Sequence, residues 1–371
     1  MTRVVIAGLG DSGLLTAIQL ARADRGLELV GISSKPMLVS GQELGIRLAR
    51  PDDWRRDYLV DFGRYRRLDA LRVVHGSLTA LDHDARTVTV ARADGSTYDE
   101  PYDVLVISTG VTNGFWRRPG LETPHEVEAG LRAAHDRLAA AGSIAIIGGG
   151  AAAVGSAVNL AAALPGRRVD LYFPGERGLP THHGRVWADL SGRLAALGVG
   201  VHPGHRAVVP DGFALDEITT GPVSWSTGQP PAEADAVLWA IGRVRPNTSW
   251  LPAELLDGDG FVRAGRDLRV PGMPGVFAIG DVAATDALRS SARNRADKVL
   301  AANIRAELAG RPLEQFRTTR RRWGSVTGVQ PEGVDIYFPS GQKLRFPGWT
   351  ARAVMQDVIA RRVIYGGIRR E

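Results

Sequence analysis

Two glycine runs in this chain of 371 residues have spacing that can do chemistry. The first is Gly8-Leu-Gly10-Asp11-Ser12-Gly13, in Gly-x-Gly-x-x-Gly spacing. The second is Gly148-Gly149-Gly150-Ala-Ala-Ala153. In such a run the first glycine permits a tight turn and the second lets backbone approach a diphosphate. The third lets a helix pack on a strand. The diphosphate then rests on free N–H groups at a helix start, where the dipole favours negative charge. One run alone is a weak signal. Two in one chain point to one domain for a tightly held dinucleotide and one for a dinucleotide that comes and goes.

These glycines need a strand before them and a helix after. Val4-Val-Ile-Ala7 reads as a strand buried on both faces of a parallel sheet, and Leu14 to Arg22 as the helix. Ser143-Ile-Ala-Ile-Ile147 and the run through Leu160 and Leu164 repeat the pair. The second strand of the first unit is read as Leu27 to Ile32. At its end dinucleotide folds carry an acid for the ribose hydroxyls. Gly31 is read at that position, which leaves the ribose to Ser33, Ser34 or backbone, and Lys35 to pair with a phosphate. Asp11 and Ser12 stand at the expected diphosphate, Asp11 pointing away along the helix start. In the second unit Arg168 to Phe173 also ends without an acid, in Phe173-Pro174. Arg177 is then placed to take a 2′-phosphate. With Ala153 in place of the third glycine, this leans towards NADPH over NADH.

The remaining elements follow by pattern. Leu71 to Gly76 reads as a strand, and Asp94-Gly95 between alternating runs as a hairpin turn. Tyr102 to Ile107, Ala236 to Ile241 and Val276 to Ile279 read as buried strands. Helices are expected within 120–142, 184–197 and 292–308, and a looped hairpin over 206–235. Beyond Pro312 a hairpin turns at Ser340-Gly341. Thr350 to Val363 forms an amphipathic stripe, with Val354, Met355, Val358 and Ile359 on one face.

Composition bounds the chemistry. The chain contains no cysteine, which excludes disulfide staples, thiolate metal sites and a redox dithiol. The eight histidines are scattered and no His and acid cluster has ligand spacing, so no metal is expected. His182-His183, after the second nucleotide strand, is a candidate for the cofactor pocket or a solvated loop. Arg289 and Arg293 are placed to border the first cofactor or to face solvent. No apolar run approaches the ~20 residues needed to span a bilayer, and the strand beginning at residue 3 leaves no room for a signal peptide. A reducing cytoplasm is the default location. The formal net charge is +6, and residues 311–371 hold twelve Arg or Lys against five Asp or Glu. That asymmetry suits a solvated surface, an acidic partner or peripheral membrane contact. No nucleic-acid-binding motif is present.

The order of segments resembles the two-dinucleotide-binding-domain flavoproteins. These are pyridine nucleotide-disulfide oxidoreductase-like proteins, and the nearest group is that of the type II NADH dehydrogenases and the apoptosis-inducing-factor-like ferroptosis suppressors. The resemblance is carried by Gly8-x-Gly10-x-x-Gly13, Val106-Ile-Ser-Thr109-Gly110, Gly148-Gly-Gly150, Ile241-Gly242-Arg243 with Pro246-Asn247, and Val276-Phe-Ala-Ile-Gly280-Asp281. Trp323-Gly-Ser-Val-Thr-Gly328-Val329 through Trp349 extends it into the tail. It implies an α/β fold of two Rossmann-like domains, for FAD and NAD(P), with a short α+β C-terminal segment. It implies an FAD domain over 1–112 and 247–310, an NAD(P) domain over 113–246 and a basic segment over 311–371. FAD contacts are implied at Gly8, Gly10, Gly13, Thr109, Gly110, Gly280 and Asp281, whose carboxylate would receive the ribityl hydroxyls. Arg47 falls where the group has an arginine near the flavin. NAD(P)H contacts are implied at Gly148, Gly150 and Gly242. Two positions depart from the group. Gly155 stands where it has a glutamate near the flavin, and Thr350 where the suppressor proteins have a lysine.

The function expected is an FAD-dependent NAD(P)H oxidoreductase that passes electrons to a small acceptor such as a quinone, with no catalytic residue assigned. The alternatives are a reductase for a partner redox protein, favoured by the basic tail, and a flavoprotein-like binding module with degraded catalysis, favoured by the missing acids.

Overall fold

In a computed structural model, the chain is described over residues 1–24, 26–41, 43–114, 118–292, 294–351, 362 and 364–369. Strand β1 (Thr2–Ala7) and helix α1 (Asp11–Ala23) open the chain, and β2 (Leu27–Ser33) pairs parallel to β1. Val104–Ile107 pairs on the other side of β1, Val276–Ala278 beyond it, and Arg72–His75 beyond β2. All five strands run parallel, so both faces must be covered. Helices α1 and α7 (Ala296–Leu308) cover one face through Leu14, Ile18, Leu300 and Ile304. The meander Ser77–Asp82, Thr87–Ala91 and Thr97–Pro101 covers the other, its hairpin closing at Gly95 with φ +81°.

The second parallel sheet has the order Gly200–His202, Arg168–Tyr172, Ser143–Ile147, Ala236–Trp239. Helices α5 (Ala151–Ala163) and α6 (Gly184–Ala196) pack on one face. The looped segment 206–235 packs on the other, through Leu215, Val223 and Trp225. The two sheets are joined by an antiparallel pairing of Val111–Thr112 with Arg245–Pro246.

Between β2 and the meander lie α2 (Leu44–Ala49) and α3 (Pro51–Tyr58). Helix α4 (Pro124–Ala140) starts at a Thr123–Glu126 capping box, which satisfies two orphan N–H groups. The backbone of α2 reaches α5 at a point with no side chain on either helix. A Cβ on Gly45 would stand 2.5 Å from the Gly155 carbonyl oxygen.

The tail binds both units. Its hairpin, Gly333–Tyr337 with Lys343–Pro347, lies against α6: Tyr337 donates to Asp189, Lys343 Nζ lies 2.7 Å from Asp189, and Arg193 pairs with Glu332. Further on, Arg369 pairs with Asp69 at 2.7 Å and Tyr365 meets Tyr65 edge to face. A short helical turn, α8 (Gly348–Thr350), starts the stretch expected to be amphipathic. Val354, Met355, Val358 and Ile359 lie outside the described residues.

Candidate functional site: two glycine cradles on one cavity

The turn from β1 to α1 closes on Gly8 (φ +105°), whose N–H donates to the Ile32 carbonyl at 2.9 Å. A Cβ on Gly8 would lie 2.5 Å from the Ser108 carbonyl oxygen. At Gly13 an added Cβ would collide with the Gly8 carbonyl, and Ser108 Oγ donates to that same carbonyl at 2.7 Å. Gly10 differs: nothing lies within 4 Å of its added Cβ, and α1 begins there without a side-chain cap. Two glycines thus hold the turn, and the third leaves a helix start open.

The second unit repeats this. Gly148 (φ +140°) donates to the Tyr172 carbonyl at 2.8 Å, with Ala240 where a Cβ would go. Gly150 is open and caps α5 without a side chain. Both open helix starts give onto one cavity of about 1230 Å³. Uncapped helix N-termini over glycines that leave room for a diphosphate fit two dinucleotides.

The repeat corrects one reading. Ile32 and Tyr172 receive equivalent bonds, so the strand end of the first unit corresponds to Ser33, matching Phe173 in the second, and not to Gly31. β2 runs through Ser33, and Gly31 lies inside it opposite Ile6. There it makes room for Leu9, whose side chain lies 2.7 Å from an added Cβ. Ser33 Oγ instead accepts from the Lys35 N–H at 3.1 Å. Phe173 is buried in the core, its ring packed on Trp187.

The remaining expected residues divide between cavity and elsewhere. Ser12, Ser34, Lys35, Arg47, Thr109, Gly110, Gly242, Gly280 and Asp281 all line the cavity. The Lys35 ammonium is already engaged, pairing with Glu122 and donating to the Gly120 carbonyl at 2.6 Å. Burial lowers its pKa, against the opposing pull of Glu122. Arg47 is buried over the Trp54 ring at 5.0 Å. Asp11 turns its carboxylate to the next loop, accepting from Ser40 Oγ at 2.8 Å and from the Gly41 N–H at 2.9 Å. Its charge thereby holds a loop beside the helix start. Gly280 (φ +87°) sits against Ser12, 3.1 Å from its Oγ at the Cβ position. Arg177 is exposed and is not a lining residue. Of the histidine pair, His182 is buried and lines the cavity. His183 caps α6, accepting from the Arg185 N–H at 3.2 Å. Arg289 lines the cavity, and Arg293 lies outside the described residues.

Gly155 and Thr350, at the positions of the glutamate and lysine that the resemblance implies, do not line the cavity. An added Cβ at Gly155 would stand 2.5 Å from the Val326 carbonyl oxygen, because the tail runs across α5 there. Asn159 and Gln330 fasten that crossing, both donating to the Thr327 carbonyl. Thr350 donates to Pro347 at 2.9 Å.

Three lining features were not read from sequence. Glu43, in left-handed backbone (φ 54°), lines the cavity at the start of α2. Arg322 and Trp323 bring the tail to it. Asn247 ties the crossover: its side chain donates to the Thr109 carbonyl at 3.0 Å and accepts from Thr112 Oγ1 at 2.7 Å. The resemblance quoted Asn247 and Trp323 but gave neither a role.

Residues 2–303 match the model of a family described as pyridine nucleotide-disulphide oxidoreductase. The chain belongs to that family. Its members carry flavin and NAD(P)H chemistry, so the chain is a flavin-dependent NAD(P)H oxidoreductase, here with no cysteine. An NADH dehydrogenase-like protein of Mycobacterium tuberculosis is 28% identical over 408 residues, covering 98% of this chain and 94% of that one. A type II NADH:quinone oxidoreductase of the same organism is 26% identical over 389 residues, with 89% and 80% covered. Among solved structures, the sulfide:quinone oxidoreductase of Aquifex aeolicus superposes with a TM-score of 0.71 at 15% identity, covering 99% of this chain and 92% of that one. That likeness is one of fold. No helix among the described residues is long and apolar enough to cross a membrane.

Proposed function

We propose that the protein oxidises NAD(P)H and delivers the electrons to a small acceptor of the quinone type, with FAD in the unit of 1–112 and 247–310. The nicotinamide dinucleotide would sit in the unit of 113–246. The observation that carries this is the pair of open helix starts, at Gly10 and Gly150, on one cavity. Bound FAD supplies a carrier that takes two electrons from a nicotinamide and gives them up to an acceptor. Overall, NAD(P)H, a proton and a quinone yield NAD(P)⁺ and a quinol.

The chain's own residues bind and align. The start of α1 takes one diphosphate and the start of α5 the other. Asp281, which lines the cavity, would receive ribityl hydroxyls. Thr109, Gly110 and Asn247 hold the two units in register across the crossover. The small acceptor is supported by the quinone named for the type II NADH:quinone oxidoreductase that the chain resembles. The missing glutamate at 155 does not favour degraded catalysis, since Gly155 is required by the Val326 carbonyl beside it. Arg177, exposed within the second unit, leaves the choice between NADPH and NADH to measurement.

The test is an absorbance spectrum of the purified protein before and after anaerobic NADPH, then NADH. Flavin bands that bleach support the reading and rank the two donors. Protein that stays colourless with added FAD refutes it. A partner redox protein is the second reading, favoured by the basic residues 311–371. It requires acceptor turnover that weakens as salt rises.

A further inference from the structure

We propose that the cavity end between the loop 286–292 and the tail turn 322–326 is an anion site, so that the acceptor carries an acidic group beside its reducible ring. The inference rests on the function proposed above and names the substrate class. Its first support is Arg289, whose guanidinium has no hydrogen-bond or ion-pair partner among the described residues, and whose Nε is buried. A buried cationic donor left unmatched is costly, and native structures match such groups with protein, water or ligand.

Its second support is that Arg289 is held in place. Its backbone is left-handed (φ 48°), a conformation costly for a residue with a side chain. Asp286 enforces the turn, its carboxylate accepting from the N–H groups of Leu288 and Ser290 and from Ser290 Oγ at 2.8–2.9 Å. The guanidinium lies over the Phe261 ring, 4.7 Å from its centroid. That leaves its edge for a planar anion.

Its third support is the charge around it. Arg322 donates its guanidinium to the Leu288 carbonyl and its backbone N–H to Thr181, drawing a second cation to this end. Trp323, fixed by its indole N–H on Asn294 Oδ1 at 2.9 Å, supplies an aromatic wall. The lining residues from 180–182, 286–292 and 322–326 include no carboxylate, the Asp286 carboxylate being bonded within its own loop, while Asp281 and Glu43 line the same cavity. Elsewhere in the cavity Lys35 already has Glu122 as its partner. A reducible aromatic ring with a carboxylate, sulfonate or ionised enol matches this end.

The experiment has two arms on the holoenzyme. In the first, kcat/KM is measured for 1,4-naphthoquinone-2-sulfonate and for unsubstituted 1,4-naphthoquinone, and their ratio is followed through Arg289→Gln and Arg289→Lys. The expected result is at least a tenfold fall in the ratio for R289Q and partial recovery for R289K. An unchanged ratio overturns the proposal. So does an effect that appears in the KM for NAD(P)H or in FAD content instead, which would assign the cation to a dinucleotide phosphate. In the second arm, calorimetry follows redox-inert naphthalene-2-sulfonate binding to the same proteins. Binding that weakens at least tenfold in R289Q supports the site. No binding to the wild type overturns it, whether or not NAD(P)H is oxidised, and a protein that binds the sulfonate without oxidising NAD(P)H refutes the functional reading alone.

Discussion

Gly155 and Val326 meet backbone to backbone: a Cβ on Gly155 would stand 2.5 Å from the Val326 carbonyl oxygen. The tail crosses α5 at this point, and Asn159 and Gln330 bond it down on either side. A carboxylate at position 155 therefore has no room, however useful it is in similar proteins. Gly155→Glu should not improve turnover. It should lower stability by about 1–3 kcal/mol, the range for overpacking a well-filled site. A thermal melt of the FAD-loaded protein checks this. A variant that melts at the wild-type temperature and turns over faster would show that the tail yields easily.

Gly10 and Gly150 allow the two sites to be separated. Each has an ordinary φ, −71° and −82°, and nothing stands within 4 Å of its added Cβ. Alanine at either position should fold normally, while its methyl occupies the space a diphosphate needs. Gly10→Ala should bind FAD at least tenfold less tightly. Gly150→Ala should keep its FAD and raise the KM for NAD(P)H about tenfold. Flavin content and steady-state kinetics read the two effects independently. Loss of both cofactors from either variant would contradict the division into two sites.

The glycines were legible because their spacing follows from the strand–turn–helix that they close, although the carbonyls that crowd Gly8 and Gly148 come from Ser108 and Ala240, far along the chain. The end of β2 was less legible. Leu27 to Ser33 is continuously strand-like, and only the bond from Gly8 to Ile32 reveals that the strand ends at Ser33. The contributions of Trp323, Arg322 and Glu43 could not be read from spacing at all. Those of Arg322 and Trp323 depend on the tail packing across a helix some 170 positions earlier in the chain, as in the bond from Gln330 to Asn159, and that of Glu43 on its left-handed backbone at the start of α2. The lack of an acid at 155 looked like erosion in the sequence, and in the structure it is packing.

Asn247 should matter for coupling more than for either site alone. Its side chain bonds Thr109 and Thr112, while its backbone bonds Gly110 and receives Thr109 Oγ1. Asn247→Ala removes the two side-chain bonds at a cost of about 1–3 kcal/mol, from the usual net worth of each. FAD content should hold, because the glycine cradle is untouched. Reduction of the bound flavin by NAD(P)H should slow, since the units lose their register. Stopped-flow reduction at saturating donor is the measurement, and an unchanged rate would make the tie merely structural.

Asp189 makes the docking of the tail hairpin sensitive to pH. Burial acts to raise its pKa, but the Lys343 ammonium and the Tyr337 hydroxyl together outweigh it and hold the carboxyl below its ordinary value. Tyr337, pushed upward by burial and by Asp189, stays protonated and remains a donor. A carboxyl with a depressed folded pKa contributes its stability above the unfolded value near ~4 and loses it as pH falls through the folded one. The hairpin should therefore stay docked at neutral pH and loosen below about pH 4. Both side chains are about a third exposed, so the contribution is small and is screened by salt. Asp189→Asn should remove the pH dependence and leave the hairpin more open to protease at pH 7. Limited proteolysis near Ser340-Gly341, followed between pH 7 and 3 for both proteins, measures it. Equal cleavage of wild type and variant at every pH would show that Arg193 and Glu332 alone hold the hairpin on α6.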